Sequence, residues 1–178
     1  MKKVLVTILA LVGLVLLFVF SVQGVKNRAI SYEESIEQAS SYVKAEEKRR
    51  FDLIPNLVEC VKAYDEHEYK TLIELAKARS TGTDADVKEI KTQIAAVVER
   101  YPDLKSQKNY QDLMNELALT ENKIVEVRKA YNQQVTRYKR FVRQFPSKQL
   151  LSLTDYEVLD YERLEFENSS VDAPKVSF

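Results

Sequence analysis

From Asn27 to Arg79 the chain holds no glycine and a single proline, Pro55. A run of that length without a second breaker leaves little room for anything but helix. Glycine and proline are scarce throughout, at 3 and 4 of 178 residues, so turns are few and elements are long. Ile30, Ile36, Ala39, Val43, Ile54, Leu57, Val61, Tyr64, Leu72, Leu75 and Ala78 mark an apolar stripe along this run, and the interval from Ser31 to Glu47 is its least apolar part.

The stretch from Lys48 to Val58 contains Pro55 and deserves its own physics. Pro55 has no amide hydrogen, so a helical bond to the carbonyl of Phe51 is lost and the ring crowds that carbonyl. Ile54 is pushed away from helical angles. Yet Ile54, Leu57, Val61 and Tyr64 keep one helical face. The spacing therefore predicts a kinked helix through Pro55, with a helix start at Pro55 as the alternative. The same face counted backwards reaches Arg50. A guanidinium there requires a carboxylate or several carbonyls, and Glu116 and Glu121 are the expected partners. One reading makes this a structural pair at a kink. The other makes Arg50, Asp52, Pro55 and Asn56 a docking notch for a partner.

Val4 to Phe20 is apolar except for Thr7 and Gly13, and Ser21 to Val25 extend it. A hydrocarbon core about 30 Å thick needs roughly twenty such residues as helix. A cleaved signal peptide is the rival, but this run exceeds an h-region of about 7–15 residues, and Val22-Gln23-Gly24 is a poor cleavage site. Residues 1–25 thus read as a retained single-pass anchor in the lipid bilayer of the cell membrane. Lys2 and Lys3 on one side against Lys26 and Arg28 on the other leave the orientation undecided.

Beyond the first helix, Ser80-Thr81-Gly82-Thr83 reads as a loop and Asp84 or Asp86 as a cap. Val87, Ile90, Ile94, Val97 and Val98 give a second helix that stops at Tyr101-Pro102-Asp103. A third begins near Ser106, with the stripe Tyr110, Leu113, Leu117, Thr120, Ile124, Val127, Tyr131, Val135, Tyr138, Val142 and Phe145, and Pro146 stops it. Its near-3.5 spacing predicts coiled-coil-like packing against the first helix. Leu150 to Phe166 carry too many apolar side chains for a disordered tail and are expected to lie back along the bundle. The whole is an all-α protein: an N-terminal transmembrane helix, then an antiparallel three- to four-helix bundle over residues 26–149, then a tail over 150–178 packing on it.

Several chemistries find no support. Lys+Arg and Asp+Glu balance at 27 each, so nothing asks for nucleic acid. Arg137, Lys139, Arg140 and Arg143 read as a solvated basic face, and Tyr110, Tyr131 and Tyr138 as core. Asp65-Glu66-His67-Glu68 invites a metal reading, but a zinc site takes three or four protein ligands, and this chain has one histidine. Cys60, the single cysteine, reads as a small packed hydrophobe. No nucleophile with a base and no ligand set appears, so neither catalysis nor a cofactor is expected.

These residues also resemble a known family. Lys48-Arg49-Arg50 followed by Asp52 to Glu59, Val61-Lys62-Ala63-Tyr64 with His67-Glu68, Ala78-Arg79, Tyr101 to Lys105, Glu121 to Ile124, Tyr131-Asn132, Phe145-Pro146-Ser147 and Pro174-Lys175-Val176 look like the pattern of the LemA family of bacterial membrane proteins. The match runs in order from Lys48 to Phe178 and departs upstream, at Ser40-Ser41 and Glu46-Glu47. The resemblance implies an anchored helical bundle without established catalytic activity, and some relatives are associated with membrane-bound zinc peptidases. The function expected is a non-enzymatic scaffold or adaptor that self-associates or contacts another membrane protein, with Ile30, Ile36 and Val43 among the contacts. A passive spacer, or a metal-dependent module on Asp65–Glu68, is the alternative.

Overall fold

The computed structural model describes residues 2–62, 64, 66–78 and 84–165. Six helices follow in order: α1 (Lys2–Lys62), α2 (Glu66–Ala78), α3 (Asp84–Arg100), α4 (Pro102–Ser106), α5 (Lys108–Arg143) and α6 (Ser147–Leu151). The fold is all-α, with no strand among the described residues.

α1 is a single helix of 61 residues, about 90 Å long at 1.5 Å per residue. It is the one described helix long and apolar enough to cross a membrane, and the apolar part is unburied. The two hydroxyls in that part are satisfied inside the helix: Thr7 Oγ1 donates to the carbonyl of Lys3 at 2.9 Å and Ser21 Oγ to that of Leu17 at 2.8 Å. That leaves no hydroxyl proton for a hydrocarbon solvent to strand.

The helix runs through Pro55. Ile54, Leu57, Val58 and Val61 are all fully buried, so burial holds the backbone helical across the missing amide. Asn56 Nδ2 donates to the Asp52 carbonyl at 3.3 Å one turn back. The helix expected to reach Arg79 ends at Lys62 instead. The Tyr64 amide closes a turn on the Val61 carbonyl at 2.9 Å, and α2 starts with Glu66 and Glu68 at its positive N-terminal end. The break lets Leu72 and Ala76 return to the core that Ile54, Leu57 and Val61 had begun.

The described residues form two compact units. One takes the chain up to residue 40 together with 129–164. Its core is Ala29 and Ile36 of α1, Val135, Tyr138, Phe141 and Val142 of α5, and Leu151 of α6, with Tyr156 and Tyr161 packed against them. The two helices run antiparallel here, Glu33 meeting Tyr138 and Tyr32 meeting Phe141. The other unit comprises residues 41–128 and, of the described residues, Glu165. Its core collects Leu57, Val61, Leu72, Ile90, Ile94, Val97, Leu104 and Leu117 from five helices.

The stripe on α5 is buried as spaced, but Phe145 is not part of it. α5 ends at Arg143, the chain turns at Pro146, and Phe145 stands 80% exposed while Ser147 takes the inner position. On α1 the register also shifts by one residue. Ala29 is fully buried and Ile30 is 38% exposed, because the residues spaced by seven along α1 are Ala29, Ile36, Val43, Arg50 and Leu57.

Candidate functional site

The stretch that carries the family pattern divides cleanly by face. Arg50 is 5% exposed and lies in line with Ile54 and Leu57, both fully buried. Pro55 is half-buried. Lys48, Asp52, Asn56 and Glu59 face solvent along the other side. Lys48 Nζ pairs with Asp52 Oδ2 at 2.9 Å, an exposed pair one turn apart. Such pairs contribute about 0.3–0.5 kcal/mol, so the fold has little need of this one. The result is a polar ladder, one residue per turn, backed by a packed face.

Arg50 has a polar partner of its own. Of the two carboxylates expected opposite it, Glu116 accepts from Arg49 and Glu121 from Lys91, whose Nζ lies 2.9 and 3.0 Å from its oxygens. Nearby, Arg128 Nε and Nη2 both donate to Glu47 Oε1, with the arginine only 15% exposed. α1 and α5 are thus tied in this unit by charge as well as by apolar packing. Ile36 and Val43 are 1% and 5% exposed, so their side chains are taken up by the chain itself. Ile30 is the one of the three that reaches solvent.

Of the Asp65–Glu68 stretch, Glu66, His67 and Glu68 open α2. Asp65 lies outside the described residues. Glu68 forms an ion pair with Arg100 at 3.0 Å. Among the described residues no three His, Cys, Asp or Glu side chains converge. Cys60 is buried, and desolvation, aided by the negative charge of Glu59, pushes its thiol above the ordinary value. Its Sγ donates to the Asn56 carbonyl at 3.4 Å and accepts from Asn109 Nδ2 at 3.6 Å. A desolvated thiol beside a carboxylate is a poor nucleophile.

The first unit holds a polar network that the sequence pattern does not show. Glu33 Oε1 accepts from Tyr138 Oη at 3.1 Å and from Tyr156 Oη. The two phenol oxygens lie 3.1 Å apart, and the Leu159 amide donates to Tyr138 Oη at 3.0 Å. Burial, then the bond to Glu33, raises the Tyr156 phenol far above its ordinary value. Burial raises Tyr138 as well. Both phenols therefore remain protonated donors. Farther along, Asn132 Oδ1 accepts from the Leu164 amide and Asn132 Nδ2 donates to the Leu164 carbonyl, both at 2.8 Å. Tyr131 Oη donates to the Glu162 carbonyl at 3.2 Å. Together these strap residues 156–164 along α5.

Comparison with known proteins agrees with the pattern read from the residues. The profile of the LemA family matches residues 39–178. The chain is also similar to Protein LemA of Metamycoplasma hominis, 28% identical over 173 residues, spanning 90% of this chain and 79% of the relative. An all-α fold, the exposed polar ladder on α1 and a family match over most of the length lead to one conclusion: this chain belongs to the LemA family.

Proposed function

We propose that this protein is a membrane-anchored, non-enzymatic adaptor. In this reading residues 1–25 are a retained single-pass anchor, residues 26–149 the helical bundle and residues 150–178 a tail, of which the part beyond residue 165 lies outside the described residues. The observation that carries the adaptor role is the ladder of Lys48, Asp52, Asn56 and Glu59. It lies in the stretch with the family pattern and faces solvent, and of its four residues Glu59 is tied to α2, accepting from Tyr69 Oη at 2.6 Å. A partner protein in the same bilayer suits it, because a shared membrane raises the effective concentration of two weakly binding surfaces. The family resemblance suggests a membrane-bound zinc peptidase as one such partner, and a second copy of this chain is the other.

Of the three contact residues expected from sequence, Ile36 and Val43 meet a partner only if the fold opens and Ile30 alone reaches solvent, so the ladder is the better surface. The test is co-purification from native membranes in mild detergent. Asp52→Ala with Asn56→Ala should release a specific membrane protein that the unaltered chain retains, at unchanged melting temperature. If the altered and unaltered chains carry the same associates, or none, the passive spacer is the correct account.

A further inference from the structure

We propose that the end of the first unit nearest the anchor, built from the α5–α6 turn and the start of the bundle part of α1, docks on anionic lipid headgroups of the bilayer that α1 enters. This rests on the reading of residues 1–25 as an anchor.

The level of the turn follows from the antiparallel packing. Glu33 meets Tyr138, Tyr32 lies 5.2 Å from Phe141 between ring centroids, and the Arg28 guanidinium stands 5.8 Å over the same ring. As α5 advances, its neighbours on α1 step back towards the apolar run. Val25 packs in the same cluster as Phe141, Val142 and Leu151. An apolar span of Val4 to about Val25 fills a hydrocarbon core of about 30 Å. The chain from Arg143 to Leu153 therefore falls at headgroup level.

Its chemistry fits that place. Arg137, Lys139, Arg140, Arg143 and Lys148 occur between Arg137 and Leu153 with no acid among them, and Arg28 lies opposite on α1, over Phe141. Acids resume only at Asp155. Lys139 is held by Asp160 at 2.8 Å, but Arg140 and Lys148 have no carboxylate at ion-pair distance among the described residues. Arg140, Arg143 and Gln144 form the anchor-side wall of a shallow concavity and suit phosphate oxygens there, while Thr136, Lys139 and Arg163 line the rest of it. At the turn Phe145 is 80% exposed, and just past α6 Leu153 is 65% exposed. A soluble surface gains nothing from an exposed phenylalanine and leucine at the two ends of α6. An interfacial surface that sets basic side chains on phosphates and apolar side chains at the acyl boundary does.

The chain has no tryptophan, so one introduced indole reports its own surroundings. Full-length protein carrying Phe145→Trp is reconstituted in phosphatidylcholine vesicles with and without phosphatidylglycerol, with a headgroup-labelled or an acyl-chain quencher. Leu153→Trp provides a second reporter. Phe18→Trp reports the anchor. Leu164→Trp reports a strap position beside Asn132, from which α5 rises about 17 Å to Arg143. The indole at 145 should shift to the blue and be quenched from the headgroup layer, more strongly with phosphatidylglycerol, while that at 164 stays unquenched. Combining Phe145→Trp with Arg140→Gln, Arg143→Gln and Lys148→Gln, or raising the salt to about 1 M, should abolish the dependence on phosphatidylglycerol. Quenching at 18 without quenching at 145 or 153 overturns the docking proposal and leaves the anchor standing. Quenching at 145 that ignores both phosphatidylglycerol and the glutamine substitutions also overturns it, since proximity alone then explains the contact. No quenching at 18 removes the anchor and the docking proposal with it.

Discussion

Arg50 occupies a position that apolar residues hold at every other heptad step from Ala29 to Leu57, and it is buried like them. Its methylene stem therefore contributes packing as well as charge. Arg50→Ala should cost about 2–4 kcal/mol, as large-to-small core changes do. Arg50→Met should cost less than half as much, because volume is kept. Urea denaturation compares the two, and equal, negligible losses would show that the stem is not core. The burial of Arg50 was legible from the three-and-four spacing of Ile54 and Leu57. The Glu33–Tyr156 bond was not, because 123 residues separate its partners and no local period links them.

Tyr156→Phe deletes a bond to a charged acceptor and should cost about 1.5–3 kcal/mol. The sign of its pH dependence follows from the raised phenol. A phenol whose folded value exceeds its unfolded value stabilises fully below about pH 10, and that contribution declines as pH rises above it. The stability lost on Tyr156→Phe should therefore be constant from about pH 6 to 9 and shrink above about pH 10. A loss that varies near neutrality would contradict a bond donated by a neutral phenol.

At the scale of elements, the unbroken helix over residues 27–62 followed from their want of glycine, and its passage through Pro55 from the unbroken stripe. Its end at Lys62 did not follow. Ala63 to Asp65 include neither glycine nor proline, and only the return of Leu72 and Ala76 to the core makes a turn there favourable. Phe145 failed for a related reason: its spacing fits α5, but the helix stops at Arg143 before the stripe reaches it. An interior proline costs a helix about 3 kcal/mol. Pro55→Ala should thus leave the melting temperature unchanged or raise it, and a large fall would show that the proline's geometry is needed for the packing of Ile54 and Leu57. The strap has its own test. Asn132→Ala removes both bonds to the Leu164 backbone, so amide exchange at Leu164 should accelerate while that of core α5 residues such as Val135 does not. Equal exchange at Leu164 in both proteins would mean that the tail is held elsewhere.

For the whole molecule, the all-α fold, an N-terminal helix long and apolar enough to cross a membrane, and the family could be read from residue order alone, because each is a pattern of local spacing. What the surface recognises could not, since an exposed polar ladder on one helix has no period that marks it off from ordinary solvated face. The central claim is that the ladder on α1 faces a protein partner in the membrane. Photo-cross-linking in native membranes tests it most directly, with a photoreactive residue in place of Asn56, which is exposed, and in a second protein in place of Val43, which is buried. Position 56 should give one discrete adduct of defined added mass, lost on Asp52→Ala, and position 43 only links within the chain. The absence of any intermolecular adduct from position 56, at full expression and in intact membranes, would contradict the adaptor account.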